Sequence, residues 1–169
     1  MEELPLNLKE IINNGENISV EFKAAEHGLP KNLFDTICAM LNRCGGHIFL
    51  GVSDNGQILG IEKNIIKKIK KDFSNNCHNS TIITPTIHLE LEEYKVDNKT
   101  IMYLYIYESS DVHRSKNKIF DRNVDGDYDI TSNTNLVSEL YIRKNKTYFE
   151  NTIYPLSLIH IWRCRRIER

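Results

Sequence analysis

Residues 32–52, NLFDTICAMLNRCGGHIFLGV, constrain the fold of this chain more than any other stretch. Leu33, Phe34, Ile37, Cys38, Met40 and Leu41 recur at helical spacing, which predicts an amphipathic helix from about Asn32 to Arg43. Gly45-Gly46 ends it, since glycine lets a helix terminus turn directly into a strand. HIFLGV is then a short, nearly all-apolar run, as a central strand requires. Just upstream, ISVEFKAA alternates strictly: Ile18, Val20 and Phe22 share one face, and Ser19, Glu21 and Lys23 the other. That period of two marks a half-buried strand.

The flanking segments read by the same rules. Leu4, Leu8, Ile11 and Ile12 share one face of a helix over residues 4–14, with Gly15 as its stop. SDNG signals a hairpin turn with QILGI as the returning strand. From Glu62 to about Asn76 a further helix is expected, because Ile61, Ile65, Ile69 and Phe73 recur every four residues. TIHLELEEYKV and TIMYLYIYES read as two long strands joined by a hairpin at Asp97-Asn98. Residues 109–135, rich in Asp, Asn and Ser, read as a long irregular loop, and ELYIRKN as a last strand. The expected fold is α/β (α+β): a mixed, largely antiparallel sheet with two main helices and a hairpin of two long strands.

A chain of 169 residues, 40% hydrophobic and 27% charged, suits one domain whose core needs neither disulfides nor a structural metal. Cys38, Cys44, Cys77 and Cys164 form no CxxC pair, which argues against a zinc site or a disulfide framework. No stretch reaches the roughly 18 apolar residues of a membrane span, and MEELPLNLKE lacks the layout of a signal peptide. A cytoplasmic protein with no membrane partner is expected.

Charge is unevenly spread. The last fifteen residues, PLSLIHIWRCRRIER, carry four arginines against one glutamate, which leaves 18 basic and 22 acidic side chains in residues 1–154. Phosphate neutralisation drives nucleic-acid affinity, so any such surface on this body must be a local patch. The tail has no helical or strand period and resembles the translation of sequencing-adapter read-through. Ser157–Arg169 are therefore expected to be non-native, with residues 1–156 forming the domain and the natural protein continuing further. No GxxxxGK[ST], GxGxxG or GxSxG occurs, which argues against a phosphate-cradling loop and a nucleophile elbow.

GENISVEFKAA and DTICAMLNRCGGHIFLGVSDNGQILGI supply, in order, Glu16, Glu21-Phe22-Lys23, Ala39, Asn42, Gly45-Gly46, Gly51-Val52, Asp54, Gly56 and Gly60. This series resembles the core signature of the Schlafen AlbA-type domain family. The later ITPTI and YIRKN segments sit where that family has a Pro-containing strand start and a Tyr-x-Arg strand. The resemblance implies a nucleic-acid-binding domain, with DNA the first candidate, forming the N-terminal part of a bacterial transcriptional regulator. It also implies an alternative, because in animal Schlafens the related fold cuts structured RNA with two glutamates and an aspartate around a divalent metal. The matching positions here are Glu16, Glu21 and Asp54. Mg²⁺ or Mn²⁺ would be the cofactor of that alternative, since hard cations prefer carboxylate oxygens and activate water. A third reading is an assembly domain, a homodimer whose long strands pair between subunits.

Each candidate residue has a structural reading beside the functional one. Asp54 in SDNG suits a turn that its own side chain would hydrogen-bond. Glu21 beside Lys23 is equally explained by an ion pair. Glu16 turns toward Glu21 only if it sits in the Gly15 loop. Lys23 can hold a phosphate or stabilise developing charge, or it can simply neutralise Glu21. Lys67, Lys68, Lys70 and Lys71 form the strongest basic patch upstream of the tail, either a solvated helix face or a phosphate contact. Arg143 of YIRKN joins them as a nucleic-acid contact.

Overall fold

The computed structural model describes residues 2–151, so Ser157–Arg169 lie outside the described residues. In chain order the elements are β1 (Glu2–Glu3), α1 (Leu6–Asn13), β2 (Val20–Lys23), α2 (Leu33–Asn42), β3 (Gly46–Leu50), α3 (Lys63–Cys77), β4 (Ile83–Thr84), β5 (Glu92–Val96), β6 (Lys99–Ile106), β7 (Arg114–Ser115), β8 (Phe120–Asn123), β9 (Gly126–Asp129) and α4 (Thr134–Asn151). A five-stranded sheet in the order β1-β5-β6-β3-β2 forms the centre. Its long ladders, β3 with β6 and β5 with β6, are antiparallel, while the outer pairs β1 with β5 and β2 with β3 are parallel. Two small antiparallel pairs, β4–β7 and β8–β9, lie outside it. The mixed, largely antiparallel α/β architecture read from the sequence is the observed one. Among the described residues no helix is long and apolar enough to cross a membrane.

The alternation of the strands divides the core between the two faces of the sheet. On one face Ile48, Leu50, Met102, Leu104 and Ile106 meet α2 and α3 through Leu33, Ile37, Ile69 and Phe73. On the other, Val20, Phe22, Phe49, Ile101 and Tyr103 are covered by Leu8 and Ile12 of α1. The helix-to-strand turn after α2 leaves no room for a side chain. Gly45 has φ +70°, and a Cβ there would stand 2.2 Å from the Ile106 carbonyl oxygen.

Helix α2 is buried nearly all round, because β7, β8 and β9 cover the side turned away from the sheet. The join is polar. Asn42, wholly buried, donates from Nδ2 to the carbonyls of His113 (3.0 Å) and Phe120 (2.8 Å), and its Oδ1 accepts the His113 N–H at 2.8 Å. His113 is itself buried, with Nδ1 3.1 Å from the Pro85 carbonyl and Nε2 2.8 Å from Ser109 Oγ. The carbonyl can only accept, so Nδ1 carries the proton and Nε2 accepts from the serine. Burial lowers the His113 pKa from its ordinary value. Folding thus favours the neutral ring, and the stability it contributes is complete above the unfolded value near 6.5 and lost as pH falls through the lower folded value. Burial lowers His47 as well. Urea midpoints measured from pH 7.5 to pH 5 are expected to fall, and His113→Gln is expected to flatten that fall without abolishing it.

Four local expectations give way to tertiary context. QILGI does not return as a strand: the Leu59 and Gly60 N–H groups both donate to the Gly51 carbonyl at 2.9 Å, leaving a single bridge between Val52 and Ile58. Three glycines with positive φ (Gly51, Gly56 and Gly60) curl this segment instead of extending it. TIHLELEEYKV is regular only over Glu92–Val96. Upstream, Ile87, Leu89 and Leu91 pack on the core under α3, and the Ile87 N–H caps the Cys77 carbonyl at 3.1 Å. Residues 109–135 are not one irregular loop but contain β7 and the β8–β9 hairpin. ELYIRKN belongs to helix α4, not to a strand. The reason is a helical period that crosses its start: Leu136, Leu140 and Lys144 face inward, and Asn133 Oδ1 caps the Leu136 N–H at 3.2 Å.

Candidate functional site

The free edge of the sheet is built by a loop folded back on itself. Gly15, at φ +79°, lets the chain leave α1 and reverse. Asn17 Oδ1 accepts the Ser19 N–H at 2.8 Å, and the backbones of Asn17 and Val20 bond each other in both directions at 3.1 Å. This lays Glu16 along the outer side of β2, where its Oε1 accepts the Phe22 N–H at 2.8 Å. The N–H and carbonyl of Val20 and the N–H of Phe22 are thereby occupied from within the chain. The opposite edge is only the two residues of β1, and the long strands β5 and β6 are interior. Of the two long strands, β6 is paired on both sides and β5 is covered by β1 at Tyr94 and Lys95.

Glu21 projects from β2 onto the α2 side of the sheet, and both of its oxygens are engaged. Oε1 holds Lys23 Nζ, and Oε2 receives Arg122 Nη2 at 2.5 Å. Arg122 comes from β8, is 3% exposed, and donates also to the carbonyls of Ile18 (2.9 Å) and Asn17 (3.2 Å) and to Asp127 Oδ1 (2.6 Å). Asp127 on β9 in turn accepts the Thr36 hydroxyl of α2 at 2.6 Å. A continuous chain of charge-assisted bonds, Lys23–Glu21–Arg122–Asp127–Thr36, thus ties the sheet edge to α2 and the hairpin. Burial opposes the Glu21 charge, but the bonds from Lys23 and Arg122 outweigh it and hold the carboxyl below its usual range. The same pairing raises the Arg122 value against its own burial.

Glu16 behaves oppositely. The residue is exposed, yet its carboxyl is partly desolvated against β2, and this raises its pKa despite the Phe22 hydrogen bond. The charges of Glu21 and Asp54 add to the rise, so each of them lies within electrostatic reach of Glu16. Asp54 itself is exposed on the Ser53–Gln57 turn. Asn55, not Asp54, holds that turn, since its Oδ1 accepts from the Ser53 hydroxyl and from the Gln57 N–H at 3.2 Å. Among the described residues, no group of three or more His, Cys, Asp or Glu side chains is spaced to hold a metal ion.

The basic candidates divide. Helix α3 buries Ile66, Ile69, Phe73 and Cys77 and leaves Lys63, Lys67, Lys68 and Lys71 exposed. Lys70 is half-buried and paired with Glu93 of β5 at 2.7 Å. Arg143 sits on α4, where Nη2 donates to the Asn42 carbonyl (3.1 Å) and to Asp121 (3.3 Å), bracing α4 against the end of α2. Sequence reasoning missed Arg122, Asp127 and Thr36. The Asp125-Gly126 pair at the β8–β9 turn was the available signal, since Asp-Gly between short runs marks a hairpin.

The family model described as Schlafen, AlbA_2 matches residues 16–148. A solution structure of the N-terminal domain of a protein from Nitrosomonas europaea, described as ATP-dependent DNA helicase RecG-related, is similar at 23% identity, covering 60% of this chain and 71% of that one, with a TM-score of 0.47. The crystal structure of the DIP2311 protein from Corynebacterium diphtheriae is similar at 18% identity and a TM-score of 0.52. The match covers 72% of this chain but 28% of that one, so this chain spans under a third of that protein's length. No curated protein sequence matches the chain.

Proposed function

Because this chain belongs to the Schlafen AlbA_2 family, we propose that it is a nucleic-acid-contacting domain, with DNA the first candidate, acting as the N-terminal part of a transcriptional regulator. The observation that carries this reading is the exposed lysine face of α3. Lys63, Lys67, Lys68 and Lys71 stand on the solvent side of a helix whose opposite side is locked in the core. A rigid row of cations on an otherwise acidic body is the local patch that phosphate contact requires. Lys70, tied to Glu93, serves the fold more than the ligand. The match to part of the longer Corynebacterium diphtheriae chain supports a domain that works within a larger protein.

The test is fluorescence anisotropy with labelled duplex DNA, single-stranded DNA and tRNA across a salt series. The triple variant Lys67→Ala, Lys68→Ala, Lys71→Ala is expected to weaken binding about tenfold or more. It should lower the slope of log K against log salt by about one for each lysine that meets a phosphate. Unchanged affinity and slope in a variant with wild-type circular dichroism would sink the α3 interface.

A further inference from the structure

The family resemblance points to a divalent ion among Glu16, Glu21 and Asp54, and the residues present do not fit one. A metal needs carboxylate oxygens that are free to approach it in a fixed geometry. Both Glu21 oxygens are already engaged, Oε1 by Lys23 and Oε2 by Arg122, so an ion would have to share each oxygen with a cation or displace one. Arg122 has nowhere to go: it is 3% exposed, and the Asn17 and Ile18 carbonyls and the Asp127 carboxylate fix it from three sides. An ion placed beside Glu21 would also meet two positive charges in a partly desolvated site, where like-charge repulsion is strongest. Glu16 has one oxygen committed to the Phe22 N–H, and Asp54 stands exposed on a turn that its neighbour holds.

We infer that Lys23 and Arg122 are the resident cations of this carboxylate centre, so that it takes up no divalent metal and the domain contacts nucleic acid without metal-dependent cleavage. The second half of the inference rests on the nucleic-acid reading above; the first half does not. The centre is then a clamp that closes the sheet edge over the β8–β9 hairpin, with charge already balanced inside it.

Mn²⁺ alone is the probe, titrated into the full chain and followed by electron paramagnetic resonance. No saturable uptake that depends on the centre is expected up to about millimolar Mn²⁺. The inference is overturned by a saturable site in the wild type that Glu21→Gln abolishes. Asp54→Asn, on an exposed turn, reports the same loss if Glu21→Gln does not fold. Uptake that both variants leave unchanged lies elsewhere and supports the inference. In parallel, labelled duplex DNA and tRNA are incubated with Mn²⁺ or EDTA and run on native and denaturing gels. An equal shift in both conditions with intact strands is expected, and cleavage that appears only with Mn²⁺ and is lost in Glu21→Gln would overturn the inference. Absence of any shift sinks the nucleic-acid reading, while the Mn²⁺ titration still decides the metal question.

Discussion

Arg122→Met is expected to lower the unfolding free energy by about 3–5 kcal/mol, the usual cost of removing one partner from a buried ion pair. The methionine fills much of the volume, so the loss is electrostatic more than steric. Glu21 and Asp127, whose side chains are 14% and 15% exposed, would each keep only one partner, Lys23 and Thr36 respectively. The carbonyls of Asn17 and Ile18 would lose their guanidinium donor as well. For a domain of this size the loss corresponds to roughly 10 °C in Tm. Urea denaturation at pH 7 measures it, with an unchanged m-value showing that stability alone has moved. Neutralising the abandoned acids in the triple variant Arg122→Met, Glu21→Gln, Asp127→Asn should restore most of the loss, because the cost lies in uncompensated charge. Acid sensitivity should move too. The Glu21 pKa is lowered by folding, so its contribution is present above the unfolded value of about 4.5 and disappears as pH falls through the folded one. Without Arg122 that acid loss becomes smaller. A single variant within about 1 kcal/mol of wild type would show that the network carries little.

Asn42→Ala is expected to cost about 4 kcal/mol. The side chain is wholly buried and makes three hydrogen bonds to the segment it braces, to the His113 and Phe120 carbonyls and from the His113 N–H. Each abandoned buried group costs about 1–3 kcal/mol, less whatever the site recovers by collapse or entering water. Cys38 Sγ, which also donates to the His113 carbonyl at 3.2 Å, limits the loss at that one acceptor. Asn42→Asp separates the hydrogen-bond account from simple packing. It keeps the volume and the acceptor for the His113 N–H, but turns an oxygen toward two carbonyls and buries a charge. At pH 7 it should be at least as destabilising as alanine, and thermal melts of the two variants decide the order. An aspartate variant close to wild type would overturn this account of the residue.

The two variants fall on opposite sides of what could be read in advance. Asn42 stands in the Asn-x-x-Gly-Gly run that marks the family resemblance, and Gly45 there proves to have no space for a side chain. Arg122 lay in a stretch that composition alone marks as polar loop. A candidate acid such as Glu21 is visible in an alternating strand, and so is its neighbour Lys23, but its second and buried cation, Arg122, is about a hundred residues away. Arg143, which reads as a basic contact on a strand, proves to be a brace on a helix.

Local periodicity therefore determined α1, α2, α3, β2, β3 and β6, because each buries a face large enough to impose its own repeat on the residues. Positive φ at Asp97 and Asn98 matches the hairpin turn read from those two residues. Only the tertiary structure decided the β8–β9 hairpin, the helical state of α4 and the Arg122 partner of Glu21. In the hairpin the inward side chains, Arg122 above all, are polar and are stabilised by partners from α2 and the loop before β2. In α4 the apolar stripe that fixes the helix begins ahead of the strand-like ELYI run, with Leu136 and Val137 closing a small core under Ile119 and Ile130. Hydrophobic repeats are a property of neighbouring residues, and they report on any element that buries apolar surface by itself. Pairing of buried charges is a property of residues far apart in the chain, and it exists only once the fold has brought them together.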